Sequence, residues 1–192
     1  VKSIRMAAAA VAAGVVLTAC SSPMEAGAAA IVGNERISAS ELNDSVSELR
    51  SALERAKIPE AQLQLPATQR VLLQLTSLSQ FRQFAAKSGV TVTDGEIDKA
   101  ITEQGGMQRI EPALLAEGVP PSRIRDWMGA VVAYNKLLTQ YGGQNEAAQQ
   151  KLGQALSSVK VTYSPRYGKF DPSQGFVDAG RFTKAASQQQ QG

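Results

Sequence analysis

Residues 67–88 constrain the fold more than any other stretch. Val71, Leu72, Leu75, Leu78, Phe81 and Ala85 fall on one side of a helix, and Leu73 and Phe84 widen that side. An apolar face this broad implies contact with more than one neighbour, so the segment belongs at the centre of a helical assembly. Other stretches share the period. Leu42, Val46, Leu49 and Leu53 follow at i, i+4, i+7 and i+11 in a helix running to about residue 57, and Ile97, Ala100 and Ile101 make a shorter stripe. Residues 107–117 suit a short helix. A longer helix from about 122 to 141 turns Ile124, Trp127, Met128, Val131, Leu138 and Tyr141 inward.

The punctuation between these stripes fits helices as well. Ser38 with Glu41 and Thr93 with Glu96 each have the spacing of a capping box, in which hydroxyl and carboxylate satisfy free amides at a helix start. Pro59 and Pro66 bracket a loop, while Gly89, the pair Gly105-Gly106 and Gly118 terminate helices. Extended pieces are few. Residues 30–37, AIVGNERI, read as one or two short strands around a tight turn at Gly33-Asn34, and the chain extends again at 159–163. After Gly142-Gly143 a Gln- and Ala-rich segment is weakly helical up to 157, and beyond Pro165 the chain reads as turn-rich loop. Residues 185–192 hold nothing apolar enough to repay their ordering entropy, so disorder is expected there. The fold class is mainly α, a multi-helix domain with a short β-sheet.

Composition then narrows the chemistry. The chain has 192 residues, one cysteine and no histidine. No Ser-His-Asp or Cys-His relay, imidazole-held zinc or internal disulfide can be built from it. A formal charge of +3 spread over the chain is too dilute for a nucleic-acid binder.

The first residues, VKSIRMAAAAVAAGVVLTAC, join a cationic start at Lys2 and Arg5 to an apolar run over 7–16. That run is far short of the roughly 20 residues that span a bilayer and fits a secretory signal. It ends in Leu17, Thr18, Ala19 and Cys20, which resembles the lipobox of bacterial lipoproteins. The resemblance implies a signal peptide over 1–19, cleavage before Cys20 and a diacylglyceryl lipid on its thiol. With a second acylation, for instance by palmitate, the anchor is stable, since each buried methylene adds about 0.8 kcal/mol. The chain would then be held at the extracytoplasmic face of the cell membrane. Residues 20–29 are small and flexible and read as a lipidated tether.

From residue 30 to 141 the sequence resembles the N-terminal chaperone domain of the SurA foldase family. Three stretches carry the likeness: AAIVGNERISASEL, LLQLTSLSQFRQFAAKSGVTVTDGEIDKAI and LLAEGVPPSRIRDWMGAVVAYNKL. One detail departs from the family pattern, because Gly33 precedes Asn34 where the reverse order is usual. The resemblance implies that the first strand pairs with a strand returning after the last helix, placing 159–163 beside 30–32. A domain over 30–163 and a tail over 164–192 follow. Many members carry a parvulin-type prolyl isomerase domain that uses histidines. Residues 143–192 contain none, so the expectation is a chain without that module and without isomerase activity.

Asp94, Glu96 and Asp98 have the wrong glycine placement for a calcium loop and suit the positive end of a helix dipole instead. Ser157 and Lys160 have Ser-Lys nucleophile spacing but lack its companion motifs, Ser-Asp-Asn and Lys-Thr-Gly. Met107, Ile110, Trp127 and Met128 are the candidate client-binding residues, with ordinary core as the competing reading. The expected function is a lipid-anchored chaperone-like protein that binds unfolded or newly secreted polypeptides without a cofactor. The alternative is a structural lipoprotein that docks a dedicated envelope partner.

Overall fold

The computed structural model describes residues 26–177 of the chain. The signal segment, the lipobox at Leu17, Thr18, Ala19 and Cys20, and the terminal stretch 185–192 lie outside the described residues.

A three-stranded sheet closes the domain. Strands β1 (Ala28–Val32) and β2 (Glu35–Ser38) form an antiparallel hairpin whose turn is Gly33-Asn34. Gly33 takes φ 56°, a conformation that favours glycine, so the order Gly-Asn suits this turn. Strand β3 (Val161–Tyr163) returns to pair antiparallel with β1, Ala30 facing Tyr163 and Val32 facing Val161, in the order β2-β1-β3. This is the closure implied by the resemblance. Strand β1 begins at Ala28, so the last two residues of the segment read as tether are in the sheet. Ala28, Ala29 and Ala30 are all buried, and their small side chains let a helix lie directly on the strand.

Six helices follow among the described residues: α1 (Ala39–Ala56), α2 (Ala67–Lys87), α3 (Asp94–Glu103), α4 (Met107–Ala116), α5 (Ile124–Gln140) and α6 (Glu146–Leu156). Helix α2 is central, touching α1, α5, α6, β1 and β2, as its broad apolar face requires. Both anticipated caps are present, but they differ. At α3 the box is complete, with Thr93 and Glu96 satisfying each other's amides. At α1 the Ser38 hydroxyl accepts from the Glu41 amide at 3.0 Å, while the Glu41 carboxylate turns away to Arg123 at 2.8 Å. An interhelical ion pair has displaced half of the local motif.

Two stretches are more ordered than their composition implies. Helix α6 is regular because the Asn145 side chain accepts from the Ala148 amide at 2.9 Å, and Ala148 and Leu152 are buried against the core. Beyond Pro165 the expected loop is instead a hairpin, β4 (Lys169–Asp171) and β5 (Gly175–Val177). Its order comes from three packed rings, Phe170 lying 4.5 Å and Phe176 5.1 Å from Tyr163 between centroids.

The buried residues separate into two clusters. The larger joins the sheet to α1, α2, α6 and the second half of α5, with Leu42, Leu49, Leu72 and Leu137 fully enclosed. The smaller holds Ile101, Ile110, Val119, Ile124 and Met128, from α3, α4, the connection after α4 and the start of α5. Helix α5 belongs to both, and the two clusters meet along it.

Candidate functional site

Where the clusters meet, α2 and α5 diverge around a groove of about 340 Å³. Helix α2 supplies its half-buried Leu78 and Phe81 to one wall. Opposite them α5 presents Gly129, Ala130 and Ala133, and this run of small residues makes the depression. A side chain at 129 would also crowd α3, since a β-carbon there would lie 3.3 Å from Ile97 Cδ1. Val90, Val92 and Ile97 close the far side, and Ile37 of β2 lies at the other end. Apart from the buried Ser79, the uncharged lining is therefore aliphatic and aromatic.

The rim is charged, and its charges are paired with one another. Arg82 pairs with Glu35, whose carboxylate also accepts from the Ser79 hydroxyl at 2.5 Å. Burial pushes the Glu35 carboxyl up, but the bonds from Ser79, Arg82 and Gln83 outweigh it and hold the group below its ordinary value. Arg123 lies 2.8 Å from Glu41 and 3.5 Å from Asp126. Each rim acid thus has a cation beside it, with Arg123 serving both Glu41 and Asp126, so the three acids and two arginines leave the rim paired but with one net negative charge. Among the described residues no buried side-chain polar atom lacks a hydrogen-bond partner.

The candidate contact residues from the sequence lie elsewhere. Ile110 (6% exposed) and Met128 (2% exposed) are interior members of the smaller cluster, as the competing core reading has it, and present no open surface in this fold. The reason is packing: α3, α4 and the first turns of α5 need a core of their own. Trp127 is half-buried against the same cluster, and Met107 alone of the four is exposed, at 36%. None of the four lines the groove. The residues that do were legible only indirectly, through the excess width of the α2 face and the small residues at 129, 130 and 133 of the facing helix.

The other motifs resolve into structural roles. Asp94 and Asp98 face Arg125, at 3.5 and 2.5 Å. Glu96 completes the α3 cap and meets Lys136 of α5 at 2.6 Å. That bond from Lys136, with the Thr93 amide, lowers the Glu96 carboxyl to about 2. The Ser157 hydroxyl donates to the Gln154 carbonyl at 2.6 Å. Among the described residues no helix is long and apolar enough to cross a membrane.

A family model described as SurA-like N-terminal domain matches residues 3–111, more than half of the chain. The match begins inside the segment read as a signal sequence and stops within α4. It includes the α2 wall of the groove and leaves out the α5 wall. No curated protein and no solved structure matches the chain.

Proposed function

Because the chain belongs to the family of SurA-like N-terminal domains, we propose that it is a chaperone-like protein whose α2–α5 groove shields apolar side chains of unfolded or newly secreted polypeptides. The observation that carries the reading is the pairing of an apolar floor with a rim whose acids all have arginine partners. Such a surface gains free energy from any apolar side chain it covers, at roughly 25 cal/mol per Å², without asking for one sequence. A volume of about 340 Å³ takes a short run of side chains and not a folded domain. Binding is then reversible and individually weak, as a holding role requires.

On this reading the chain works without catalysis or cofactor. Cys20 carries the lipid that holds it at the extracytoplasmic membrane face, where tethering raises its concentration near emerging chains. The direct test is suppression of aggregation of several unrelated unfolding proteins by the purified chain, beside a proline-isomerisation assay. Protection across unrelated clients with no rate acceleration is the expected outcome. Protection of none, with stoichiometric capture of one envelope protein, supports the docking alternative. A Cys20→Ser variant that still partitions with membranes contradicts the anchor.

A further inference from the structure

A second surface lies on the opposite edge of the sheet from β2. The amide of Gly33 donates to the Lys160 carbonyl at 2.7 Å and that of Ser164 to the Ala29 carbonyl at 2.9 Å, with Ile31 opposite Thr162. In an antiparallel ladder, bonded and non-bonded pairs alternate, so Thr162 is the residue whose backbone faces β1. Val161 and Tyr163 therefore direct their amides and carbonyls outward. No strand pairs with β3 on that side among the described residues. Beside this edge opens a cavity of about 400 Å³, whose apolar lining includes Val161, Tyr163, Phe170 and Pro172. Lys160 and Arg166 adjoin its lining residues Val161 and Pro165 in the chain, and Lys169 lines it. The first two have no ion pair among the described residues, and Lys169 faces only Asp171, whose carboxylate already accepts from Ser173 and Gln174.

We propose that the free edge of β3 is a strand-addition site for an extended polypeptide segment that alternates apolar and acidic side chains. The outward groups of Val161 and Tyr163 supply main-chain bonds, an apolar side chain enters the cavity, and the acids meet the flanking cations. The same cations disfavour a second copy of this edge, because two such strands would bring like charges together. This site is separate from the α2–α5 groove and needs no part of it.

The test is fluorescence anisotropy of a labelled peptide of alternating valine and glutamate with the full chain. N-methylation of the amides on one edge of the peptide is expected to weaken binding about tenfold, the scale of one or two hydrogen bonds, while methylation of the other edge leaves it intact. Val161→Pro deletes an outward amide and alters one lining side chain of the cavity, and is expected to weaken binding similarly. Arg166→Glu with Lys169→Glu, both exposed, is expected to do so through charge and to abolish the salt dependence, whatever the fate of the proline variant. Leu78→Asp in the groove leaves the difference between the two N-methylated edges unchanged. Binding that is indifferent to N-methylation on either edge overturns the proposal. So does a concentration-dependent dimer of the chain that Val161→Pro abolishes, which would give the edge to a second copy.

Discussion

Lys136 of α5 places its ammonium 2.6 Å from the Glu96 carboxylate, and the same ammonium donates to the Thr91 carbonyl at 2.8 Å. Glu96 is also the reciprocal member of the α3 capping box. One side chain therefore fixes the start of α3 and ties α3 to the helix that forms the small-residue wall of the groove. The Glu96 carboxyl is lowered from 4.5 to about 2 by the bond from Lys136 and the Thr93 amide. Below its ordinary value the unfolded chain binds a proton that the folded chain does not. The stabilisation is thus complete above 4.5 and lost as pH falls toward about 2. Melting temperatures of the chain and of Glu96→Gln are predicted to differ at neutral pH and to converge across that interval.

Leu137 is fully buried where α5 enters the larger cluster. Leu137→Ala is predicted to cost about 2–5 kcal/mol, the transfer term plus the cavity left behind. Urea denaturation followed by circular dichroism measures it. A loss below about 1 kcal/mol would mean that α5 does not pack as described.

Gly89 and Gly118 both adopt left-handed backbone, at φ 69° and 80°. A β-carbon at 89 would meet open space, whereas one at 118 would overlap the Arg70 side chain, which also donates to the Glu117 carbonyl at 2.8 Å. Gly89→Ala is predicted to lose about 1–2 kcal/mol from backbone strain alone. Gly118→Ala is predicted to lose more, because Arg70 must also give up its place. Equal losses would show that crowding adds nothing.

The Tyr163 hydroxyl lies 3.0 Å from the Thr76 hydroxyl, joining β3 to α2. Burial raises the Tyr163 phenol above its ordinary value, against the bond from Thr76. Tyr163→Phe, read by urea denaturation, is predicted to cost about 1 kcal/mol, the net worth of one such bond plus the stranded partner.

Much of this architecture is written in local chemistry. The stripes at Leu42–Leu53 and along α2, the Thr93 box and the glycines that end helices each act within a few residues, so sequence suffices to place them. The return of β3 beside β1 was accessible only through family likeness, because nothing local in Val161, Thr162 and Tyr163 names Ala30 as a partner. Three other features depend on distant contacts and were not legible. Glu41 abandons its own cap for Arg123, a residue 82 positions away. The β4–β5 hairpin owes its order to the Tyr163 ring. Ile110 looks available on its own helix and becomes interior only when α3, α4 and α5 meet, whereas Met128 already falls on the inner face that the periodicity gives its helix. The groove lay in the same blind spot, since it depends on Leu78 and Phe81 facing Gly129, Ala130 and Ala133.

The central claim is that this groove holds unfolded polypeptide, and site-specific photo-cross-linking tests it most directly. A photoreactive side chain at position 78 in the groove, and another at exposed position 150 on α6, are irradiated with a permanently unfolded, carboxymethylated protein and with its native form. Cross-linking from 78 to the unfolded form, little to the native form and little from 150 to either is the predicted result. Equal yields from 78 and 150, or a yield from 78 that does not distinguish unfolded from native protein, would contradict the account.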